Sequence, residues 1–307
     1  MTKKLCENIS KNHENSTCLH DIDFHNILTD IYKIKNLTGV FQIDNKDVVV
    51  NAFKVNNLAS GKKIISMPFS FIPKMLGESD DINGLKYLIN VACTEGSEYY
   101  VEYKCFSDLG NNLTIKNKIV TKKNLLINSS LFLKNTYEEQ QLEISKNLRQ
   151  TIRTSNRRAQ EEDIVFKKAD DIRLVQSFYT MLNNMFKYKH NTISQPFEIF
   201  ESVYNNFVLK NKADFYLAVK CDKVIAGIVV FKHNDNWTYM WGASDQDYSK
   251  INLNTLLVDL LIQDAIKEKA KIIEDTTPPE PKMNTFLSLT SYLKCLKPSS
   301  KPAISVL

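Results

Sequence analysis

The order of secondary-structure signals across residues 213–277 constrains this chain more than any other feature. FYLAVKCDK, VIAGIVVFKH and WTYMWGAS are rich in β-branched and aromatic residues and read as three strands. NTLLVDLLIQDAIKEKA follows as an amphipathic helix, with Leu256, Leu257, Leu260, Leu261 and Ala265 at helical spacing and Asp259, Gln263, Lys267 and Glu268 on other faces. KIIEDTT closes the series as a short strand that ends in the carboxylate Asp275. Cys221-Asp222-Lys223 has the character of a tight hairpin turn between the first two strands. The helix must then cover one face of the resulting sheet.

The same β-β-β-α-β order occurs upstream. Residues 39–43 and 48–55 suit a hairpin about Asp44-Asn45-Lys46, residues 63–68 a third strand, residues 85–92 a helix and residues 99–103 a closing strand. The offset between the two series is roughly 175 residues, a domain length rather than a solenoid repeat. The pattern predicts a duplicated domain; the competing reading is two α/β domains that share an order by chance.

A chain of 307 residues accommodates two domains, each able to bury a core. Hydrophobic content of 43% beside 24% charged residues fits a soluble globular protein. No window has the uncharged apolar length of a membrane span, and the first residues lack the apolar core of a signal peptide, so a cytoplasmic location is expected. The six cysteines are scattered without zinc or redox spacing, as free thiols in a reducing compartment would be. A formal charge of +5 permits binding to phosphates or nucleic acid without demanding it.

Along the chain, residues 1–17 read as a polar, frayed tail. Residues 18–133 form the first expected domain, 134–296 the second, and 297–307 a C-terminal tail. Asp21 or Asp23 can cap a helix with Phe24, Ile27, Leu28, Ile31 and Tyr32 on one side. After a turn-rich break at 107–112, residues 116–133 read as extended, and 124–133 lead into the second domain. Helical sequence then covers 136–162, a strand 164–168, and two helices 171–186 and 197–210, with Pro196 in the loop between them.

Four motifs in this order carry a family resemblance. They are Ile64-Ile-Ser-Met-Pro-Phe69 with Tyr100-Val-Glu-Tyr-Lys104, the helix Asn147-Leu-Arg-Gln-Thr-Ile-Arg-Thr-Ser-Asn-Arg-Arg-Ala159, the loop His190-Asn-Thr-Ile-Ser-Gln-Pro196, and Tyr239-Met-Trp-Gly-Ala-Ser244. Together they resemble the FemAB-type transferases, the peptidoglycan-bridge-forming branch of the GNAT superfamily. The resemblance implies two tandem GNAT-like α/β domains, each a mixed, mostly antiparallel sheet flanked by helices. It also implies transfer of an acyl or aminoacyl group to an amine of a cell-envelope or polysaccharide precursor, with aminoacyl-tRNA as donor and no tightly bound cofactor. The chain departs from the family pattern after its last strand. Glu274-Asp-Thr-Thr-Pro-Pro-Glu280 lacks the family's Gly and Arg, Thr285-Phe-Leu-Ser-Leu-Thr290 lacks its Lys, and only Asp275 and Thr276 match. An acyl-CoA-dependent N-acyltransferase acting on a small molecule, and a non-catalytic binding protein of the same fold, are the alternatives.

Candidate site residues follow from their chemistry. Arg149, Arg153 and Arg157 recur at i, i+4 spacing, so they share a helix face with Arg158 beside them. Guanidinium forks suit phosphates of a tRNA or a nucleotide-linked precursor; a solvated face is the bland account. Lys187, Lys189 and His190 form a second basic cluster, read as lying on a loop that grips an acceptor. Tyr239 and Trp241 alternate with Met240 and so share one strand face, for stacking on a base or sugar or for packing a core. Glu102 and Asp275 end equivalent strands, where a carboxylate can take a proton from an attacking ammonium; for Asp275, turn formation competes. Thr276 enters through the family match alone. Residues 245–254, where GNAT enzymes place a Gly-rich phosphate cradle, contain no Gly and two Asp, which argues against tight coenzyme A binding. No metal-ligating motif is present.

Overall fold

A computed structural model describes residues 2–14, 16–43, 46–57, 61–68, 75–77, 81–95, 99–103, 129–190 and 193–275. The chain divides into two compact units, the second beginning at Ser129. Among the described residues, no helix is long and apolar enough to cross a membrane.

The first unit opens with helices α1 (Thr2–Asn12) and α2 (Ile22–Tyr32). The frayed tail expected at 1–17 is therefore largely helical. Ser10 is buried, and α1 packs against the hairpin described below, so a tertiary contact orders a polar segment. Asp21 caps α2 by accepting a bond from the Asp23 amide at 2.8 Å, while Phe24, Ile27 and Leu28 turn inward.

Strand β1 (Lys35–Asn36) precedes the hairpin of β2 (Gly39–Ile43) and β3 (Lys46–Val50), in which Ile43 pairs with Lys46. The single strand expected at 48–55 is broken at Asn51-Ala52. There the Ala52 amide donates to the Thr38 hydroxyl at 3.2 Å, and Asn51 Nδ2 donates to the Leu19 carbonyl at 3.2 Å. Acceptors distant in sequence take these donors, and the chain turns out of one sheet into another. β4 (Phe53–Asn57), β5 (Gly61–Ile65), α3 (Asp81–Thr94) and β6 (Tyr100–Glu102) complete a sheet of order β1-β4-β5-β6. β4 and β5 are antiparallel, whereas β5 and β6 are parallel across α3. Val48, Val50, Ala52, Ile64, Leu88 and Ala92 form a core on which the Phe41 and Tyr87 rings stack at 5.1 Å.

In the second unit, β7 (Ser129–Phe132) is followed by α4 (Tyr137–Glu143), α5 (Lys146–Glu161), β8 (Val165–Lys168), α6 (Ile172–Met185) and α7 (Phe197–Val203). Strands β9 (Ala213–Lys220), β10 (Lys223–His233) and β11 (Asn236–Ser244), helix α8 (Leu253–Lys267) and β12 (Ile272–Asp275) then follow in the expected order. Cys221 and Asp222 both have positive φ, 47° and 60°, the two-residue geometry whose twist matches antiparallel strands.

The six-stranded sheet has the order β7-β12-β11-β10-β9-β8. Only β11 and β12 run parallel, with α8 as the crossover, which repeats the β4-β5-α3-β6 arrangement of the first unit. β7 pairs with β12, so residues 129–133, counted with the first domain from sequence, contribute to the second sheet.

One face of this sheet carries Ala226, Ile228, Val230, Trp237 and Tyr239 against Leu148 and Ile152 of α5 and Leu257 and Leu261 of α8. The other face is aromatic. Phe178 of α6 lies 6.0 Å from Phe200 of α7 and 5.7 Å from Phe215, and Phe207 meets Phe231 at 5.1 Å. Each fully buried ring contributes roughly 1.5–3 kcal/mol of apolar burial, so these helices are held mainly by side chains rather than by their own hydrogen bonds. Gly227 permits the fit: a Cβ there would stand 2.6 Å from Phe178 Cδ2 and 2.8 Å from Leu217 Cδ2.

Candidate functional site

Parallel strands joined by a helix leave their carboxyl ends and the helix N-terminus at one edge of the sheet, where α/β folds bind ligands. Here that edge comprises the ends of β11 and β12 and the start of α8. β11 carries a bulge: Val230 pairs with Tyr239 and Val229 with Trp241, so Met240 is the extra residue. Neighbours along β10 point to opposite faces, hence so do Tyr239 and Trp241. This corrects the single face expected from their alternation. Trp241 packs in the aromatic layer, 5.0 Å from Phe200 and 6.1 Å from Phe231. Tyr239 is buried toward α8, and its hydroxyl lies against the bare Cα of Gly242.

In the parallel register Tyr239 is opposite Asp275, and Thr238 is opposite Glu274. Both carboxylates are buried, 3% and 5% exposed, in the last two residues of β12. Asp275 thus shares the α8 face with Tyr239, whereas Glu274 shares the other face with Thr238. Burial, reinforced by the Asp275 charge, pushes the Tyr239 phenol far above its ordinary range, so it stays protonated at neutral pH.

The connection from β11 to α8 shows what replaces a glycine cradle. Asp245 accepts from the Asp247 amide at 3.1 Å and meets Lys223 Nζ at 3.3 Å, which starts the 3-10 helix Gln246–Ile251. Asn252, with φ of 56°, then turns the chain into α8. In the first turn of α8, Asn254 Nδ2 donates to Ser244 Oγ at 3.3 Å. Asn254 Oδ1 and Thr255 Oγ1 are buried with no hydrogen-bond partner among the described residues.

α5 abuts this connection: Arg158 Nη1 donates to the Lys250 carbonyl at 2.7 Å. Arg149, Arg153 and Arg157 extend from there over about 12 Å of helix axis. Their environments differ. Arg149 is half-buried and donates from Nη1 to the Gln141 carbonyl at 2.8 Å. Arg153 is exposed, and Arg157 makes an exposed i, i+4 contact with Glu161 at 3.7 Å.

The remaining candidates fall on other elements or outside the described residues. Lys187, Lys189 and His190 extend α6 as the π-helical segment Phe186–His190, a correction of the loop expected there. Lys187 Nζ stands 5.6 Å from the centroid of the exposed Tyr188 ring. Glu102 ends β6 of the first unit, where its carbonyl accepts from the Ser66 amide at 3.0 Å. Thr276 lies outside the described residues.

Two polar clusters escaped sequence reasoning. Asp259, only 3% exposed, accepts from the Tyr137 hydroxyl at 2.8 Å, from Gln141 Nε2 at 3.2 Å and from Gln263 Nε2 at 3.0 Å. Burial raises its carboxyl despite these donors, and burial with the Asp259 charge raises the Tyr137 phenol. At the far edge of the sheet, Asp214 pairs with Lys168 at 3.0 Å and with Lys232 at 2.8 Å, and Lys232 also meets Glu268 at 2.9 Å. A long-range partner for a lone polar residue leaves no local pattern to read. Among the described residues, no group of three or more His, Cys, Asp or Glu is placed to hold a metal ion.

Comparison with known proteins agrees with this geometry. Residues 146–277 match the family described as acetyltransferase (GNAT) domain. The crystal structure of FemX superposes with a TM-score of 0.67 at 10% identity, covering 100% of this chain and 94% of that one. L-PGS from Bacillus licheniformis superposes at 0.52 with 11% identity, over 98% of this chain and 88% of that one. The C-terminal domain of a putative lysylphosphatidylglycerol synthetase from Agrobacterium fabrum reaches 0.51 at 10% identity, over 90% and 78%. No curated protein sequence matches the chain.

Proposed function

From a GNAT domain at residues 146–277 within the two-domain FemX fold, of the FemAB-like type its motifs indicated, we propose that this protein is a cytoplasmic aminoacyltransferase. In this reading it moves an aminoacyl group from tRNA to an amine of a cell-envelope or polysaccharide precursor. The observation that carries the reading is the buried strand-end pair Asp275 and Tyr239 at the carboxyl edge of the β11-α8-β12 crossover. An amine attacks an ester carbonyl only after losing a proton, and Asp275 is the carboxylate at this edge that can receive it. The protonated Tyr239 phenol is suited to donating toward negative charge that develops nearby.

The donor assignment rests on the connection to α8. Asp245 and Asp247 lie where a pyrophosphate would require bare amides, and the 3-10 helix uses amides of the loop internally. Arg149, Arg153 and Arg157, with Arg158 beside them at the loop, instead suit a long phosphate backbone running along α5. In this reading Glu102 is a second candidate proton acceptor, and Lys187, Lys189 and His190 keep the acceptor-gripping role that their residue types suggest.

The test is release of labelled amino acid from a mixture of aminoacyl-tRNAs by the full chain with envelope-precursor amines added. Donor consumption that depends on acceptor, and that falls at least a hundredfold in Asp275→Asn, supports the reading. Equal rates in the two proteins would remove Asp275 from the chemistry. An acyl-CoA-dependent N-acyltransferase is the second reading, favoured by the Thr255 hydroxyl at the α8 N-terminus, which has no partner among the described residues and can donate to a phosphate. Calorimetry with acetyl-coenzyme A separates the two: micromolar binding, about −8 kcal/mol, promotes the second.

A further inference from the structure

Asp259, the buried carboxylate of α8, is connected to the arginine face. Asp259 accepts from Tyr137 and Gln141 of α4 and from Gln263 of its own helix. Gln141 Nε2 in turn reaches the Tyr137 hydroxyl at 2.6 Å, and the Gln141 carbonyl receives Arg149 Nη1 at 2.8 Å. A continuous set of hydrogen bonds therefore runs from the centre of α8, through the C-terminal turn of α4, to the first arginine of α5. Arg153 has no such anchor among the described residues, and Arg157 has only an exposed pair.

We propose that Asp259 is a positioning residue for Arg149: it fixes the last turn of α4 so that the Gln141 carbonyl holds the guanidinium in a binding-ready orientation. The proposal rests on the reading of the α5 face as the phosphate-binding surface. Three features favour positioning over simple helix docking. First, α4 has only 7 residues and cannot hold its own turn in register without a tertiary anchor. Second, the donors converging on Asp259 all have partners, so the carboxylate leaves none of them unsatisfied. Third, the bond to Arg149 uses one arm of a planar fork and leaves its remaining N–H groups available to an anion. An arginine ordered before binding loses less rotamer freedom on contact with phosphate.

The experiment measures the affinity of the full chain for a fluorescein-labelled RNA hairpin with a single-stranded 3′ end, by anisotropy, together with the melting temperature of each variant. Asp259→Asn replaces one acceptor by a donor facing donors; Gln141→Ala removes the link more gently and covers the case where the first variant fails to fold. Both should weaken RNA binding roughly three- to tenfold, as expected for freeing one side chain. Arg149→Ala should weaken it at least as much, and Arg149→Ala combined with Gln141→Ala should bind no worse than Arg149→Ala alone. Variants that melt earlier yet bind RNA normally, beside a weakened Arg149→Ala, would overturn the positioning role and leave the α5 surface intact. Losses that add in the double variant would overturn it too. Normal RNA binding by both Arg149→Ala and Arg153→Ala would instead refute the α5 surface itself, and the positioning role with it.

Discussion

Gly242 and Tyr239 are coupled by space, and the coupling has a calculable size. A Cβ at Gly242 would stand 1.9 Å from the Tyr239 hydroxyl oxygen, 3.0 Å from Cζ and 3.4 Å from Ile228 Cγ2. The hydroxyl must retreat by about 1.5 Å to reach van der Waals distance, yet the Tyr239 ring is buried against α8 and has little room. Gly242→Ala should therefore cost about 3 kcal/mol, the upper part of the range for overpacking a core. Tyr239→Phe alone should cost about 1 kcal/mol, the worth of one hydrogen-bonding hydroxyl. In the double variant the oxygen is gone and the nearest contact is the ring carbon at 3.0 Å, a few tenths of an ångström too close. Its cost should be about 2 kcal/mol, well below the additive value of about 4 kcal/mol. Urea unfolding followed by tryptophan fluorescence suits this cycle, because the 2 tryptophans, Trp237 and Trp241, both lie on β11. Additive costs would mean that Tyr239 does not occupy the space in front of Gly242.

The buried His25 ring donates from Nε2 to the Leu19 carbonyl at 2.8 Å and meets Asn36 Nδ2 through Nδ1 at 3.3 Å, and burial lowers its pKa to about 4. Since the unfolded value is about 6.5, the unfolded chain takes up the proton first. Stability should be complete above pH 6.5 and drain by up to about 3 kcal/mol as pH falls through about 4; parallel acid-melting curves for wild type and His25→Gln would contradict this. Lys232, whose side chain is 8% exposed between Asp214 and Glu268, should be costly to replace by Met, about 2–3 kcal/mol. Lys168→Met at the 38% exposed end of the same cluster should cost about 1 kcal/mol or less, and the reverse ranking in urea midpoints would be evidence against the buried pair. Arg153→Ala should leave the melting temperature unchanged while lowering RNA affinity about tenfold, one charge-assisted contact; an earlier melt with normal binding would assign Arg153 to structure.

Legibility followed the range of the forces involved. The β9-β10 turn was readable because Cys221-Asp222 is a local geometry problem, and α8 because its leucines repeat at helical spacing. The arginine face of α5 was readable for the same reason. The break at Asn51-Ala52 was not, since β-branched residues flank it and its cause, Thr38 and Leu19, lies elsewhere in the chain. α1 was missed because a polar helix is ordered by what it packs on. The opposite orientations of Tyr239 and Trp241 depend on one bulged residue, Met240, which strict alternation cannot anticipate. Asp259 was visible as a polar residue off the leucine stripe, but its burial under Tyr137 and Gln141 belongs to tertiary structure.

The pairing of β7 with β12 also sets a timetable for biosynthesis. Ser129–Phe132 leaves the ribosome about 140 residues ahead of Ile272–Asp275, roughly ten to thirty seconds at ordinary elongation rates. Through that interval Leu131, 2% exposed in the finished protein, has no sheet to enter, and β11 has an open flank where β12 will lie. The nascent second unit therefore waits as an incomplete sheet with both an unclaimed strand and the edge next to its future berth uncovered. Codon choice that slows translation just before residue 272 should prolong this exposed state and lower the yield of soluble chain.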